Sequence, residues 1–168
     1  RKGEKTFECN PSTINLRKLK IIKDFGFNRI SFGVQSLDPK ILKYANREYQ
    51  TYKIVKNAIK DAQDCNFEVN VELMIGLYQD DAESFIRSFK RIINLDPTSV
   101  SLYHLNPPSN YLEKYFRNYE YVFYSKLKKK INETLILIFP IANINNYDYP
   151  SEFYLREGYS VELKKIDS

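Results

Sequence analysis

The sequence predicts an α/β fold of βα units on a parallel sheet. Two observations predict it. Short runs with strand character alternate with longer runs whose apolar residues recur at helical spacing, and the strand starts fall at about residues 6, 29, 69 and 99, leaving room for helical crossovers between them. In such an arrangement ligands gather at the C-terminal ends of the strands.

Thr6-Phe7-Glu8-Cys9 reads as the first strand. Asn10-Pro11-Ser12 follows as a turn, with Ser12 or Thr13 able to cap the next helix. From Ile14 to Phe25, Leu16, Leu19, Ile22 and Phe25 recur at helical spacing and are expected to face inward, and Gly26 is placed to end the helix. Arg29 to Val34 reads as the second strand, and Pro39 opens a short helix carrying Ile41 and Leu42. A longer helix is expected over Tyr52 to Cys65, with Ile54, Val55, Ala58, Ile59 and Ala62 along one side. Val69 to Leu77 is an apolar third strand. Asp80 and Asp81 then sit where a helix start favours acid, ahead of a stripe of Phe85, Phe89, Ile92 and Ile93. Ser99 to Leu105 reads as the fourth strand. Beyond Pro107 the pattern changes to an aromatic-rich helix over Tyr111 to Lys130, a strand or buried segment over Leu135 to Ile141, and a polar, turn-rich stretch from Asn143.

Bulk properties bound the function. The chain has 168 residues, 43% of them apolar, which suits one domain or a large piece of one. No run is long and apolar enough to span a bilayer, and no signal or transit peptide is visible. The net charge is +5, but acidic residues are interspersed nearly everywhere. The lysines therefore read as solvated helix faces, and nucleic acid is not an expected partner. Two cysteines, Cys9 and Cys65, make no disulfide framework and no CxxC pattern. They are expected to be free thiols in a reducing, cytoplasmic setting.

The strand ends deliver candidate site residues. Glu8 ends the first strand, Gln35 the second, Glu72 lies late in the third, and Tyr103 and His104 end the fourth. Arg47 sits in the connection after the second strand. Arg47 is suited to hold a carboxylate bidentately, Glu8 an ammonium, and Gln35 with Glu72 a pair of vicinal hydroxyls. Ordinary strand-end residues bonded to loop backbone are the alternative. His104, the only histidine, reads as a structural hydrogen-bonder, because a metal site around it would need carboxylates. The Tyr and Phe cluster from Tyr111 to Tyr124 reads as helix packing rather than a porphyrin pocket.

Five segments, in order, carry a resemblance. Glu8-Cys9-Asn10-Pro11 resembles the E-x-N-P strand end of the oxygen-independent coproporphyrinogen III oxidase family of radical-SAM proteins. The run from Asn28 to Ser36, NRISFGVQS, resembles that family's N-R-x-S-x-G-V-Q-S strand almost position for position. Ile41-Leu42 followed by Asn46-Arg47 resembles the stretch ending in Gly-Arg. Glu72 to Leu77 is similar to D-L-M-x-G-L-P, and Ser101 to Leu105 to S-x-Y-x-L.

The resemblance implies a partial (β/α) barrel that binds S-adenosylmethionine (SAM) against a [4Fe–4S] cluster, where reductive cleavage of SAM starts radical chemistry. By matching position, Glu8 and Arg47 would hold the methionine end of SAM, Gln35 and Glu72 the ribose, and Met74 would border the adenine. The implied reaction is oxidative decarboxylation of porphyrinogen propionates, with an electron donor such as flavodoxin or ferredoxin. Relatives insert or carry haem, or methylate aromatic substrates.

The family's C-x₃-C-x₂-C cluster loop is not in the sequence, nor is its glycine-rich strand, and Tyr78-Gln79 replaces Pro-Gly. No metal ligand and no catalytic residue is assigned within the chain. Residues 1–108 are thus expected to form the C-terminal part of the barrel, with cluster ligands upstream, and 109–168 a helical and irregular extension. As given, the chain is not expected to perform radical chemistry. The alternatives are a non-catalytic haem- or SAM-binding module, or a related methyltransferase.

Overall fold

The computed structural model describes residues 3–105 and 160–164. The order is β1 (Thr6–Cys9), α1 (Leu16–Asp24), β2 (Arg29–Gln35), α2 (Pro39–Tyr44), α3 (Tyr52–Asp64), β3 (Glu68–Ile75), α4 (Ala82–Ile93), β4 (Ser99–His104) and β5 (Ser160–Lys164). The strands form one sheet in the order β1-β2-β3-β4-β5. The first four run parallel, as expected of βα units. β5 pairs antiparallel with β4. The stretch from Asn143 is expected to be turn-rich and irregular, yet Ser160–Lys164, which alternates polar and apolar residues, is a strand that covers the sheet edge. The segments expected at 111–130 and 135–141 lie outside the described residues.

Alternation along each strand divides the sheet into two faces. Ile30, Phe32 and Val34 of β2, Val69, Val71, Leu73 and Ile75 of β3, and Val100 and Leu102 of β4 join one buried core. Leu19 and Ile22 of α1, Val55, Ala58, Ile59 and Ala62 of α3, and Phe85, Phe89 and Ile92 of α4 complete it. Pleating therefore turns Ser31 and Gly33, Asn70, Glu72 and Met74, and Ser99, Ser101 and Tyr103 to the opposite, polar face.

α1 departs from expectation at both ends. Its N-cap is Asn15, whose Oδ1 accepts from Lys18 N at 3.0 Å. Ser12 and Thr13 instead close the turn after β1: Ser12 N and Oγ donate to Asn10 Oδ1, and Thr13 Oγ1 donates to Asn10 O. Leu19 and Ile22 are buried, while Leu16 and Phe25 at the ends are 49% and 74% exposed.

Three helices end alike. Gly26, Asn46 and Asn66 take left-handed φ angles of 82°, 53° and 57° after α1, α2 and α3. The following N–H in each case reaches back five residues: Phe27 to Ile22 O, Arg47 to Leu42 O, and Phe67 to Ala62 O. This satisfies carbonyls that the helix leaves open and turns the chain sharply. After α2 it launches Arg47 toward the strand ends.

Candidate functional site

β2 and β3 build the centre of the site. Their register runs evenly to Gly33 opposite Glu72, then skips so that Gln35 opposes Leu73. This bulge ends in a tight turn in which Ser36 N donates to Val34 O at 2.8 Å. Gln35 sits at its middle with φ 67°. Such bulges re-aim side chains at strand ends. Here the Gln35 amide is brought back over Gly33. A Cβ on Gly33 would lie 3.1 Å from Gln35 Nε2 and 3.8 Å from Glu72 Oε2. Glycine thus leaves the space in which the Gln35 amide and the Glu72 carboxylate face one another. Gln35 Oε1 is buried and accepts no hydrogen bond among the described residues. A buried acceptor without a donor costs on the order of 1–3 kcal/mol, so it marks a place that can take a donor from a ligand or a water. Glu72 accepts from Ser31 Oγ on Oε1 at 2.7 Å.

Arg47 closes the same end of the sheet. Its Nη1 donates to Gly33 O at 2.9 Å and to Gln50 Oε1 at 3.3 Å. Gln50 is itself 0% exposed, and its Nε2 donates to Val34 O at 2.6 Å. The guanidinium is therefore braced against the bulge. Across the strand ends, Asn10 Nδ2 donates to Tyr49 OH at 3.3 Å, tying the end of β1 to the Arg47 loop.

Glu8 is exposed on β1 and pairs in register with Ser31, on the polar side. It stands two strands from Glu72, roughly 10 Å at ordinary strand spacing. Met74 is half-buried on the polar face and pairs in register with Tyr103. All five expected residues thus surround one end of the polar face. Gly33, Gln50, Ser31 and Asn70 support them and were not singled out in the sequence. Ser31 and Gly33 fall within the NRISFGVQS run and Asn70 continues the polar alternation of β3, while Gln50, in the loop before α3, carries no strand signal.

The thiols are not part of this end chemically. Cys9 packs against the core. Burial pushes its thiol up to about 12, the Glu72 carboxylate adds to the rise, and Lys18 opposes it. Cys9 and Cys65 are both free. Among the described residues no group of three or more His, Cys, Asp or Glu is placed to hold a metal ion.

The model of the radical SAM superfamily matches residues 1–92, more than half of the chain. The chain belongs to the radical SAM superfamily. Radical SAM relatives include an oxygen-independent coproporphyrinogen III oxidase of Helicobacter pylori, 29% identical over 135 residues. That match takes in 79% of the chain but only 26% of the relative. The heme chaperone HemW of Bacillus subtilis is 33% identical over 104 residues, 61% of the chain and 27% of that protein. Among solved radical SAM structures, coproporphyrinogen III oxidase (HemN) from Escherichia coli superposes with a TM-score of 0.71 at 24% identity, covering 81% of this chain and 32% of that one. The superposition establishes the fold, a partial barrel of the radical SAM type. The chain spans between a quarter and a third of the length of these relatives.

The cofactors of this superfamily are SAM and a [4Fe–4S] cluster. The residues present fit the first: a buried acceptor without a donor, a carboxylate beside it, a glycine that leaves the approach open, and a braced guanidinium. They do not fit the second, because no thiolate set stands among the described residues.

Proposed function

We propose that this chain forms the SAM-holding, C-terminal part of a radical SAM half-barrel of the oxygen-independent coproporphyrinogen III oxidase type. Gln35 Oε1 and Glu72 accept from the ribose hydroxyls of SAM. Arg47 binds its carboxylate, Glu8 its ammonium, and Met74 borders the adenine. The observation that carries this reading is the buried, donorless Oε1 of Gln35, on an amide whose Nε2 lies over Gly33 beside the Glu72 carboxylate. When bound beside a reduced cluster, SAM supplies the radical chemistry; this chain's residues orient it and exclude water.

In the whole protein the substrate is a porphyrinogen, and the reaction is oxidative decarboxylation of its propionates. Flavodoxin or ferredoxin supplies electrons, in a reducing cytoplasm. The likeness to heme chaperone HemW favours a second reading, in which the same barrel serves haem transfer. Anaerobic incubation of the whole protein with coproporphyrinogen III, SAM and a reductant, beside a parallel incubation with haem, separates them: carbon dioxide release supports the oxidase, and haem retention without carbon dioxide release supports the carrier.

Calorimetric titration of the whole protein with SAM tests the site. Gln35→Ala and Glu72→Ala are each expected to weaken binding at least tenfold, from the loss of hydrogen bonds to buried polar groups. Unchanged affinity in both variants would falsify the assignment.

A further inference from the structure

The polar face carries a continuous run of hydrogen bonds that ends on Glu72. Arg29 Nη2 donates to Ser99 Oγ at 3.0 Å. Ser99 Oγ donates to Asn70 Oδ1 at 2.7 Å, and Ser101 Oγ donates to the same oxygen at 3.2 Å. Asn70 Nδ2 donates to Ser31 Oγ at 2.8 Å. Ser31 Oγ then donates to Glu72 Oε1 at 2.7 Å. Ser31, Asn70, Ser99 and Ser101 are all buried, so water does not compete for these groups.

The sense of the run follows from the donor inventory. A guanidinium only donates, a carboxylate only accepts, a hydroxyl has one proton, and an amide has one end of each kind. Glu72 only accepts, so Ser31 gives it its single proton and must itself accept from Asn70 Nδ2. Asn70 therefore turns its oxygen to β4 and its nitrogen to Ser31. With the amide reversed, the Ser31 proton would go to Asn70 and Glu72 Oε1 would lose its donor.

We propose that Asn70, acting through Ser31, is the positioning residue for the Glu72 carboxylate, and that Ser99 and Ser101, donating to its Oδ1, hold its amide in place. The proposal rests on the reading of Glu72 as a ribose acceptor. Ser31 holds Oε1, which leaves Oε2 on the side of Gly33 and the Gln35 amide. A free glutamate would lose side-chain freedom on meeting ligand; the relay removes that freedom beforehand.

The test is titration of the whole protein with SAM and with its 2′-deoxy analogue, beside thermal unfolding. Ser31→Ala is expected to weaken SAM binding about tenfold and to shrink the preference for ribose over deoxyribose. Ser31→Thr keeps the hydroxyl and is expected to restore both. Asn70→Asp is isosteric but replaces the donor with an acceptor, drawing the Ser31 proton away from Glu72. It is expected to weaken binding at least as much. In a Glu72→Ala background, Ser31→Ala is expected to add nothing. If Ser31→Ala and Asn70→Asp bind like the parent while Glu72→Ala does not, the relay is not a positioning device and only the ribose reading survives. If Glu72→Ala itself keeps the parent affinity and ribose preference, that reading falls and the relay proposal with it. Losses that track the unfolding midpoint alone, with ribose preference intact in every variant that folds, assign the network to stability and also overturn the proposal.

Discussion

Gln35 holds a left-handed backbone, φ 67°, that glycine adopts freely and a side-chain-bearing residue does not. Its amide oxygen is also buried without a donor. Both features cost stability, and both lie at the proposed SAM site. Gln35→Gly should therefore separate the two: unfolding free energy rising by about 1 kcal/mol while SAM affinity falls. Chemical denaturation beside calorimetry reads this, and a destabilised variant would count against strain at this residue. Asp80, in the turn after β3, is a second strained group. It is 1% exposed, with Ser84 Oγ donating to its carboxyl. Burial pushes its carboxyl up from 3.8 to about 7, against the lowering effect of the Ser84 and Asp81 hydrogen bonds. The folded state thus binds the proton more tightly than the unfolded chain. The associated stability is full below about pH 4 and lost as pH rises through about 7, a swing of about 4 kcal/mol. Asp80→Asn keeps the acceptor without the charge. It should raise the unfolding midpoint at pH 8 and leave it nearly unchanged at pH 4; equal shifts at both would refute the assignment. At this scale the sequence already pointed to Glu8, Gln35 and Glu72 by their places on the strands, to Arg47 in the following connection, and to Met74 through the resemblance. It did not point to Asn70 as the partner of Ser31, because a polar residue inside an apolar strand says nothing of which neighbour it meets.

Elements were legible where local chemistry decides them. Gly26 announced the end of α1, and Asp81 the start of α4. Asp81 Oδ1 accepts from Ser84 N at 2.7 Å, while Ser84 Oγ accepts from Asp81 N at 3.0 Å. Asp81→Ala breaks this reciprocal cap and should cost about 1 kcal/mol, a drop of roughly 2–4 °C in midpoint by differential scanning calorimetry. SAM affinity should hold, since the cap lies outside the residues that surround the ligand; a binding loss would mean that α4 anchors the site. Elements were illegible where competing local bonds decide. Ser12 and Thr13 have capping chemistry, yet Asn10 captures them first, and the helix starts at Asn15 instead. The left-handed φ values of Asn46 and Asn66, which end α2 and α3, appear only in the structure.

At the scale of the whole molecule, β5 covers the edge of β4 through five paired positions from Ser99–Lys164 to Tyr103–Ser160. Removing residues 160–168 would leave that edge's N–H and C=O groups open to other chains. Concentration-dependent association is the expected result in light scattering, and a variant that stays monomeric would show the edge to be protected otherwise. Among the described residues no helix is long and apolar enough to cross a membrane. The sequence by itself determined the parallel βα alternation, the two faces of each strand and the residues near the strand ends, because periodicity and strand position are properties of the chain alone. Only the tertiary structure decided the register skip at Gly33, the donorless oxygen of Gln35, the relay from Arg29 to Glu72 and the return of β5. Each of these joins residues from different strands, and hydrogen-bond partners are chosen by distance in space.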